Sequence, residues 1–186
     1  MMLYKKIDID NFEIIREEIL NLCSQQISQN LRFWDIRYID FLKNTPTFIN
    51  YISNKLYKIP VLFRFYNTPP QSWLPPHLDG MADSVCKIGF NIPLLNTENT
   101  YMRYYDTPED NIKIAYKDGF TLTPVRIIED KSKLVPLDSI VIDKPTLLRT
   151  DITHQVDNYN NSYRLVLCMK LEGNSFEEVF KFNTGS

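Results

Sequence analysis

The sequence has few of the residues that mark disulfide-rich, zinc-binding or membrane proteins. Its three cysteines, Cys23, Cys86 and Cys168, show no paired spacing, which argues against a disulfide framework or a zinc knuckle and fits a reducing compartment. No apolar run approaches the roughly 20 residues of a membrane-spanning helix. The first residues also lack the apolar core of a secretory signal. We therefore expect a cytoplasmic protein that does not cross a membrane, in which Cys23 and Cys168 are small core residues.

The chain also lacks a strong charge of either sign. Its net charge is −2, and acidic and basic residues are spread along it without a basic block. This balance argues against nucleic acid or an anionic membrane as a partner. Apolar residues make up 44% and aromatic residues 13% of the 186 positions, enough for one domain with a substantial core. The oligomeric state does not follow from these values.

The N-terminal part has the periodicity of helices. One apolar stripe at helical spacing is formed by Phe12, Ile15, Ile19, Leu22 and Cys23. It predicts a helix over about residues 10–29, with Asp10 or Asn11 as its N-cap. Thr45 followed by Pro46 predicts the start of a second helix that ends near Tyr57. Residues 31–41 fit either a strand or a loop.

From residue 59 onward the pattern changes to short β-type segments separated by Pro, Gly, Asn or Asp. Strands are predicted over residues 61–66, 86–95, 100–105, 112–116, 121–128, 139–143 and 163–171. They do not alternate with helices, which favours an antiparallel sandwich or barrel. We therefore expect a single domain, 1–186, with helical support in 1–58, a β core in 59–172 and a C-terminal tail in 173–186 that frays over its last four residues.

Both histidines of the chain lie in segments that favour metal binding. His77 and Asp79 are two positions apart, so in a strand they point to the same side and can reach one ion. His154 would have to come from a neighbouring strand. Two imidazoles and one carboxylate leave positions open on an octahedral ion, which suits the non-haem Fe(II) oxygenases. Pro75-Pro76 stiffens the approach to His77, and Gly80 lets the chain turn away sharply.

Arg164 provides a second element of the predicted site. In the last predicted strand, alternation places Arg164, Val166 and Cys168 on one face. The opposite face consists of Leu165, Leu167, Met169 and Leu171, and we expect it to pack on the helices. A buried arginine needs an anionic partner because an unpaired buried charge is very costly. A dicarboxylate bound at the metal would supply that partner.

The set His77-x-Asp79, His154 and Arg164 resembles the motif of the 2-oxoglutarate- and Fe(II)-dependent dioxygenases. Within them, His154-x-Val156-x-Asn158 and Asn91-Ile92-Pro93-Leu94 are similar to the aspartyl/asparaginyl β-hydroxylase branch. The presence of Asp79 is closer to prolyl-hydroxylase-type sites. The resemblance spans residues 59–171.

This resemblance implies a double-stranded β-helix, or cupin-like jelly roll, with N-terminal helices. It implies Fe(II) bound by His77, Asp79 and His154, the distal carboxylate of 2-oxoglutarate held by Arg164, and a contact of Asn91 with this co-substrate. The implied reaction uses O2, decarboxylates 2-oxoglutarate to succinate and hydroxylates an amino-acid residue of a peptide or protein, or a free amino acid.

Several alternatives remain at this point. The chain could be a cupin-like metalloenzyme that does not use 2-oxoglutarate, or a non-enzymatic β-sandwich that binds a protein partner. Arg149 is either a substrate contact or a surface strand residue, and Arg64 and Arg103 either line the cavity or pack on aromatic rings. Trp73 and the tyrosines at 66, 101, 104 and 105 either form the wall of the pocket or pack in the core.

Overall fold

A computed structural model describes residues 2–29, 31–79, 86–115 and 125–182. Its strands are β1 Tyr4–Lys6, β2 Phe33–Asp35, β3 Leu62–Thr68, β4 Ser72–Asp79, β5 Ile88–Leu95, β6 Thr100–Asp106, β7 Ile112–Ala115, β8 Val125–Ile128, β9 Val135–Val141, β10 Thr146–Arg149, β11 Thr153–Asn158 and β12 Arg164–Leu171. Its helices are α1 Phe12–Leu22, α2 Ser24–Ser28, α3 Tyr38–Asn44, α4 Pro46–Lys55 and α5 Phe176–Val179.

Within the described residues, the strands form two six-stranded sheets, and all pairings between these strands are antiparallel. Sheet A has the order β1-β10-β5-β12-β3-β2, and sheet B has the order β7-β8-β4-β11-β6-β9. Sequence neighbours are mostly not sheet neighbours, because the chain passes back and forth between the two sheets. The predicted fold, a mainly β jelly roll with N-terminal helices, is confirmed.

The helices cover one face of sheet A. Ile15, Ile19, Phe41 and Phe48 are buried in one cluster with apolar residues of the central strands β3, β5 and β12. The strand β12 contributes Leu165, Leu167, Met169 and Leu171 to this cluster, as the predicted alternation requires. Burying each such side chain contributes about 1.5–3 kcal/mol. Strand β5 is buried on both faces, since the helices cover one of them and the interior of the jelly roll adjoins the other.

The predicted first helix is divided in two. The backbone of Cys23, with φ −107° and ψ 12°, leaves the helical region between α1 and α2. Asn11 is the N-cap residue of α1, one of the two predicted, but its backbone is left-handed with φ 59° and its side chain makes no capping hydrogen bond in the described structure. Within residues 31–41, the structure has strand β2 and the start of helix α3, which the sequence pattern did not indicate.

Helix α4 begins at Pro46 as predicted, but Thr45 does not cap it. The Thr45 hydroxyl donates instead to the carbonyl of Phe41 at 2.9 Å. The free N–H groups of Thr47 and Phe48 donate to the two carboxylate oxygens of Glu18, each at 3.1 Å. A side chain of α1 thus supplies the negative charge that a helix N-terminus favours.

Two short edge strands extend sheet A, and the C-terminal segment completes the layer that covers it. Strands β1 and β2 lie at the two edges of sheet A, and Phe176, Val179 and Phe180 are buried in the helix-side cluster.

The division at residues 58/59 and 172/173 stays a prediction. Gly80, residues 121–124 of one predicted strand and the tail residues 183–186 lie outside the described residues. Within the described ranges, no helix has the length and apolar character needed to cross a membrane.

Candidate metal centre

The structure brings the three predicted ligands together on adjacent strands of sheet B. His77 in β4 lies directly opposite His154 in β11, and their ring centroids are 4.5 Å apart. Asp79 follows two positions later in β4. One potential ligand atom from each of the three residues lies within 4.8 Å of the others. The triad was predicted from the spacing of His77 and Asp79 and from the strand placement of His154.

A bulge in β4 directs His77 towards the interior. His154 pairs with His77 but Val156 pairs with Leu74, so three steps along β4 match two along β11. The extra residue falls at Pro75-Pro76, and proline has no backbone N–H to donate to the strand ladder. Both Leu74 and His77 line the interior cavity as a result.

Both imidazoles are held in the tautomer that binds a metal through Nε2. Nδ1 of His77 lies 2.7 Å from the carbonyl oxygen of Pro75, and Nδ1 of His154 lies 2.9 Å from that of Ile152. A carbonyl only accepts hydrogen bonds, so each Nδ1 carries the proton and each Nε2 keeps its lone pair. Asp79 places Oδ1 3.7 Å from Nε2 of His77 and Oδ2 3.9 Å from Nε2 of His154. Adjacent ligands of an octahedral ion, each about 2.1 Å from it, are about 3 Å apart, so the ligand atoms would have to move closer together to bind one ion.

The environment sets the charges that metal binding needs. Burial, together with the neighbouring His77, lowers the pKa of His154 to about 4, so this imidazole is neutral at neutral pH. Burial alone would raise the pKa of Asp79, but the charge of Lys170, with the two imidazoles, holds it below its usual range. The ammonium group of Lys170 contacts Oδ2 of Asp79. A neutral nitrogen of His154 and an ionised carboxylate of Asp79 therefore face a common point with Nε2 of His77.

Arg164 faces the same cavity as the triad. It is only 2% exposed, and its Nε donates to the hydroxyl of Thr100 at 3.2 Å. Among the described residues, no carboxylate lies within ion-pair distance of its guanidinium group. Burial lowers the pKa of Arg164 to about 10, so it is still a cation at neutral pH. The cavity therefore has a buried positive charge at Arg164 that is not compensated by an acid of the described chain.

Two further residues that line this cavity have a buried side-chain oxygen without a hydrogen-bond partner in the described structure. These atoms are the amide oxygen Oδ1 of Asn91 and the hydroxyl of Thr150. Gly89 makes room for Thr150, because a Cβ atom at Gly89 would lie 2.9 Å from Cγ2 of Thr150. Buried polar atoms ordinarily have partners, so both are available to a bound molecule. The contact of Asn91 with a co-substrate stays a prediction.

The three arginines whose role the sequence left undecided are each paired with an acidic residue. These ion pairs are Arg64 with Asp35, Arg103 with Asp157 and Arg149 with Asp151. None of the three arginines is among the described residues that line the cavity. Arg103 also lies 5.6 Å from the ring centre of Tyr101, which agrees with the cation–π alternative. The pairing of Arg149 with Asp151 satisfies its charge inside its own loop.

The aromatic residues divide between the cavity, the core and the surface. Tyr66 lines the cavity, and Tyr104 is fully buried in a smaller cluster next to it. Trp73 is 61% exposed, so it belongs neither to the core nor to the wall of the cavity.

Two residues of the site were not predicted. Lys170 continues the inward alternation of Arg164, Val166 and Cys168, so extending that pattern by one step would have found it. Thr150 lies between β10 and β11, and nothing in its sequence context distinguishes it.

Comparisons with known proteins bear on the fold only. No protein-family model matches the sequence, and no curated protein matches it. The solved structures similar to this one include three at 11–12% identity. EvdMO1 aligns over 90% of this chain and 46% of its own, with a TM-score of 0.51. The non-heme alpha ketoglutarate dependent carbocyclase SnoK from nogalamycin biosynthesis aligns over 90% and 77%, with a TM-score of 0.49. AviO1 from Streptomyces viridochromogenes Tue57 aligns over 99% and 91%, with a TM-score of 0.48.

At this identity, the likeness to EvdMO1 shows a shared fold and nothing about activity. This chain spans about half the length of EvdMO1. The chemistry of the cavity must be argued from its own residues.

Proposed function

We propose that the protein is an Fe(II)- and 2-oxoglutarate-dependent oxygenase. The observation that carries the proposal is Arg164, a buried cation that shares a cavity with the triad and has no acidic partner in the described chain. A dicarboxylic co-substrate fits this arrangement, because one end can bind the metal and the other can pair with the guanidinium group.

The donor set fits Fe(II). His77 and His154 offer Nε2 atoms, since Nδ1 of each is bound to a backbone carbonyl. Asp79 offers an ionised oxygen, and the three together leave positions open for the co-substrate and dioxygen. When bound, the metal and 2-oxoglutarate would supply O2-dependent oxidation of a C–H bond with release of succinate and CO2. Arg164 would orient the co-substrate. Leu74, Met102, Val156 and Val166 line the cavity and would exclude water from it.

The proposed substrate is an amino-acid residue of a peptide or protein, or a free amino acid, which would be hydroxylated. This part of the proposal rests on the similarity of the motif around Asn91, His154 and Arg164 to the β-hydroxylases. A cytoplasmic location stays a prediction, based on three cysteines without paired spacing in the sequence.

The test measures succinate formed from 2-oxoglutarate by the purified protein with Fe(II) and ascorbate. We expect turnover in the wild type and its loss in the His77→Ala, Asp79→Ala and His154→Ala variants, each of which should keep the far-UV circular dichroism spectrum of the fold. Lys113→Ala is the matched control, because Lys113 is an exposed residue of sheet B. Near-normal decarboxylation in any triad variant would show that the triad assignment is wrong.

The same assay separates the alternatives. A protein that binds Fe(II) at the triad but forms no succinate would be a cupin-like enzyme of another class. A protein that does not bind Fe(II), and whose His77→Ala variant loses no ligand binding, would fit a non-enzymatic β-sandwich.

A further inference from the structure

Asp79 is held by contacts from the opposite sheet. It is the last residue of β4 in sheet B. Its backbone N–H donates to the carbonyl of Thr150 at 2.9 Å, just after β10 of sheet A. Its Oδ2 accepts from the ammonium group of Lys170 in β12, also of sheet A. A backbone contact therefore fixes the position of the residue, whereas the orientation of the carboxylate depends on Lys170.

Lys170 is placed to make this contact and is largely removed from solvent. Its side chain is 13% exposed and that of Asp79 is 18% exposed. In sheet A, Lys170 lies between Leu62 of β3 and Gly89 of β5. Because Gly89 has no side chain, the space beside it is left to Thr150, whose Cγ2 would lie 2.9 Å from a Cβ atom at Gly89. Holding a long side chain in a half-buried position costs conformational entropy and desolvation, and the ion pair with Asp79 offsets this cost.

The two oxygens of Asp79 have different surroundings. Oδ2 is bound by Lys170 and lies 3.9 Å from Nε2 of His154, whereas Oδ1 lies 3.7 Å from Nε2 of His77. A carboxylate with one oxygen bound by an ammonium group can offer the other oxygen to a metal, which makes it a monodentate ligand. Hydrogen-bond partners of this kind orient metal ligands, and their loss typically costs 10–100-fold in metal affinity.

We propose that Lys170 is a positioning residue of the metal centre: it holds Oδ2 of Asp79 so that Oδ1 alone is presented to the ion. This inference rests on the proposed metal site. The opposing possibility is that Lys170 only neutralises Asp79 in the metal-free protein and competes with the ion. The two possibilities predict changes of opposite sign when the lysine charge is removed.

The experiment measures anaerobic binding of Co(II), a spectroscopic substitute for Fe(II), by its visible absorption. We expect Lys170→Met and Lys170→Gln to bind Co(II) 10–100-fold more weakly than the wild type, with a changed absorption band because both oxygens of Asp79 become free to bind. Lys170→Arg keeps the charge and the donors and should restore most of the affinity. Lys58→Met is the matched control, since Lys58 pairs with Glu172 on the surface.

The outcomes distinguish this inference from the proposed function. A wild type that does not bind Co(II), or a His154→Ala variant that binds it normally, would refute the triad itself. Wild-type binding with unchanged or tighter binding in both Lys170→Met and Lys170→Gln would overturn the role of Lys170 and leave the triad standing. If Lys170→Met fails to fold, Lys170→Gln and Lys170→Arg decide the matter, because a positioning role requires arginine to bind better than glutamine.

Discussion

Arg164 is the residue whose removal should separate co-substrate binding from metal binding. It is buried, faces the cavity and is not one of the three ligands. A charge-assisted hydrogen bond contributes about 1.5–3 kcal/mol. We therefore expect Arg164→Ala to raise the dissociation constant of 2-oxoglutarate about 10- to 150-fold, with no change in metal affinity. Anaerobic calorimetric titration of the Mn(II)-loaded protein measures both values.

Arg37→Ala is the control for this experiment. The Arg37 side chain is 80% exposed and pairs with Asp40 in helix α3, which begins one residue later, so its loss should leave 2-oxoglutarate binding unchanged. An unaltered affinity in Arg164→Ala as well would exclude a contact between Arg164 and the co-substrate.

The three cysteines should react with thiol reagents at different rates. Burial raises the pKa of Cys23 to about 12 and that of Cys168 to about 11, so at pH 8 few of these thiols are ionised, and both are buried. Cys86 is only partly buried. We expect iodoacetamide to label Cys86 first in the native protein and all three in urea, as measured by peptide mass spectrometry. Early labelling of Cys23 would contradict its assignment to the core.

At the scale of single elements, the sequence predicted best where one periodic rule decides the outcome. In β12, alternation correctly placed Leu165 and Leu167 against the helices and Arg164 towards the cavity. The spacing of His77 and Asp79 worked for the same reason, since i and i+2 share a side of a strand. These features depend on local geometry and on which face is apolar.

Features that depend on contacts between distant elements were missed. The ion pair of Lys170 with Asp79 depends on how closely sheets A and B approach, which no local pattern encodes. Strand β1 has only three residues, and it forms because its backbone pairs with strand β10. The cap of α4 was assigned to Thr45 because the sequence rule looks only at neighbouring positions, whereas the capping group comes from Glu18 in another helix.

Glu18 gives a prediction at this scale. Its carboxylate accepts from two N–H groups at the start of α4, so Glu18→Ala leaves both without their partner. We expect the free energy of unfolding to fall by about 1–3 kcal/mol, measured by urea denaturation. Glu17→Ala is the matched control, since Glu17 is exposed on the same helix and its loss should change stability by no more than about 0.5 kcal/mol. Equal effects of the two substitutions would show that α4 does not need this cap.

At the scale of the whole molecule, the site lies between the sheets. The three proposed ligands belong to β4 and β11 of sheet B, and Arg164 belongs to β12 of sheet A. A metal ion alone would connect two neighbouring strands of one sheet. A metal ion with 2-oxoglutarate would connect both sheets, because the co-substrate would extend from the ion to Arg164.

This difference predicts the response of thermal stability to each ligand. A ligand at 100 times its dissociation constant stabilises the folded state by about 2.7 kcal/mol, and each kcal/mol raises the Tm of a protein of this size by about 2–4 °C. We expect Mn(II) alone to raise the Tm by about 5–10 °C under these conditions, and 2-oxoglutarate to add a further increase only when Mn(II) is present. Arg164→Ala should keep the first increase and lose most of the second, whereas His154→Ala should lose both. Differential scanning calorimetry measures these values. A full second increase in Arg164→Ala would mean that 2-oxoglutarate does not connect the two sheets through this residue.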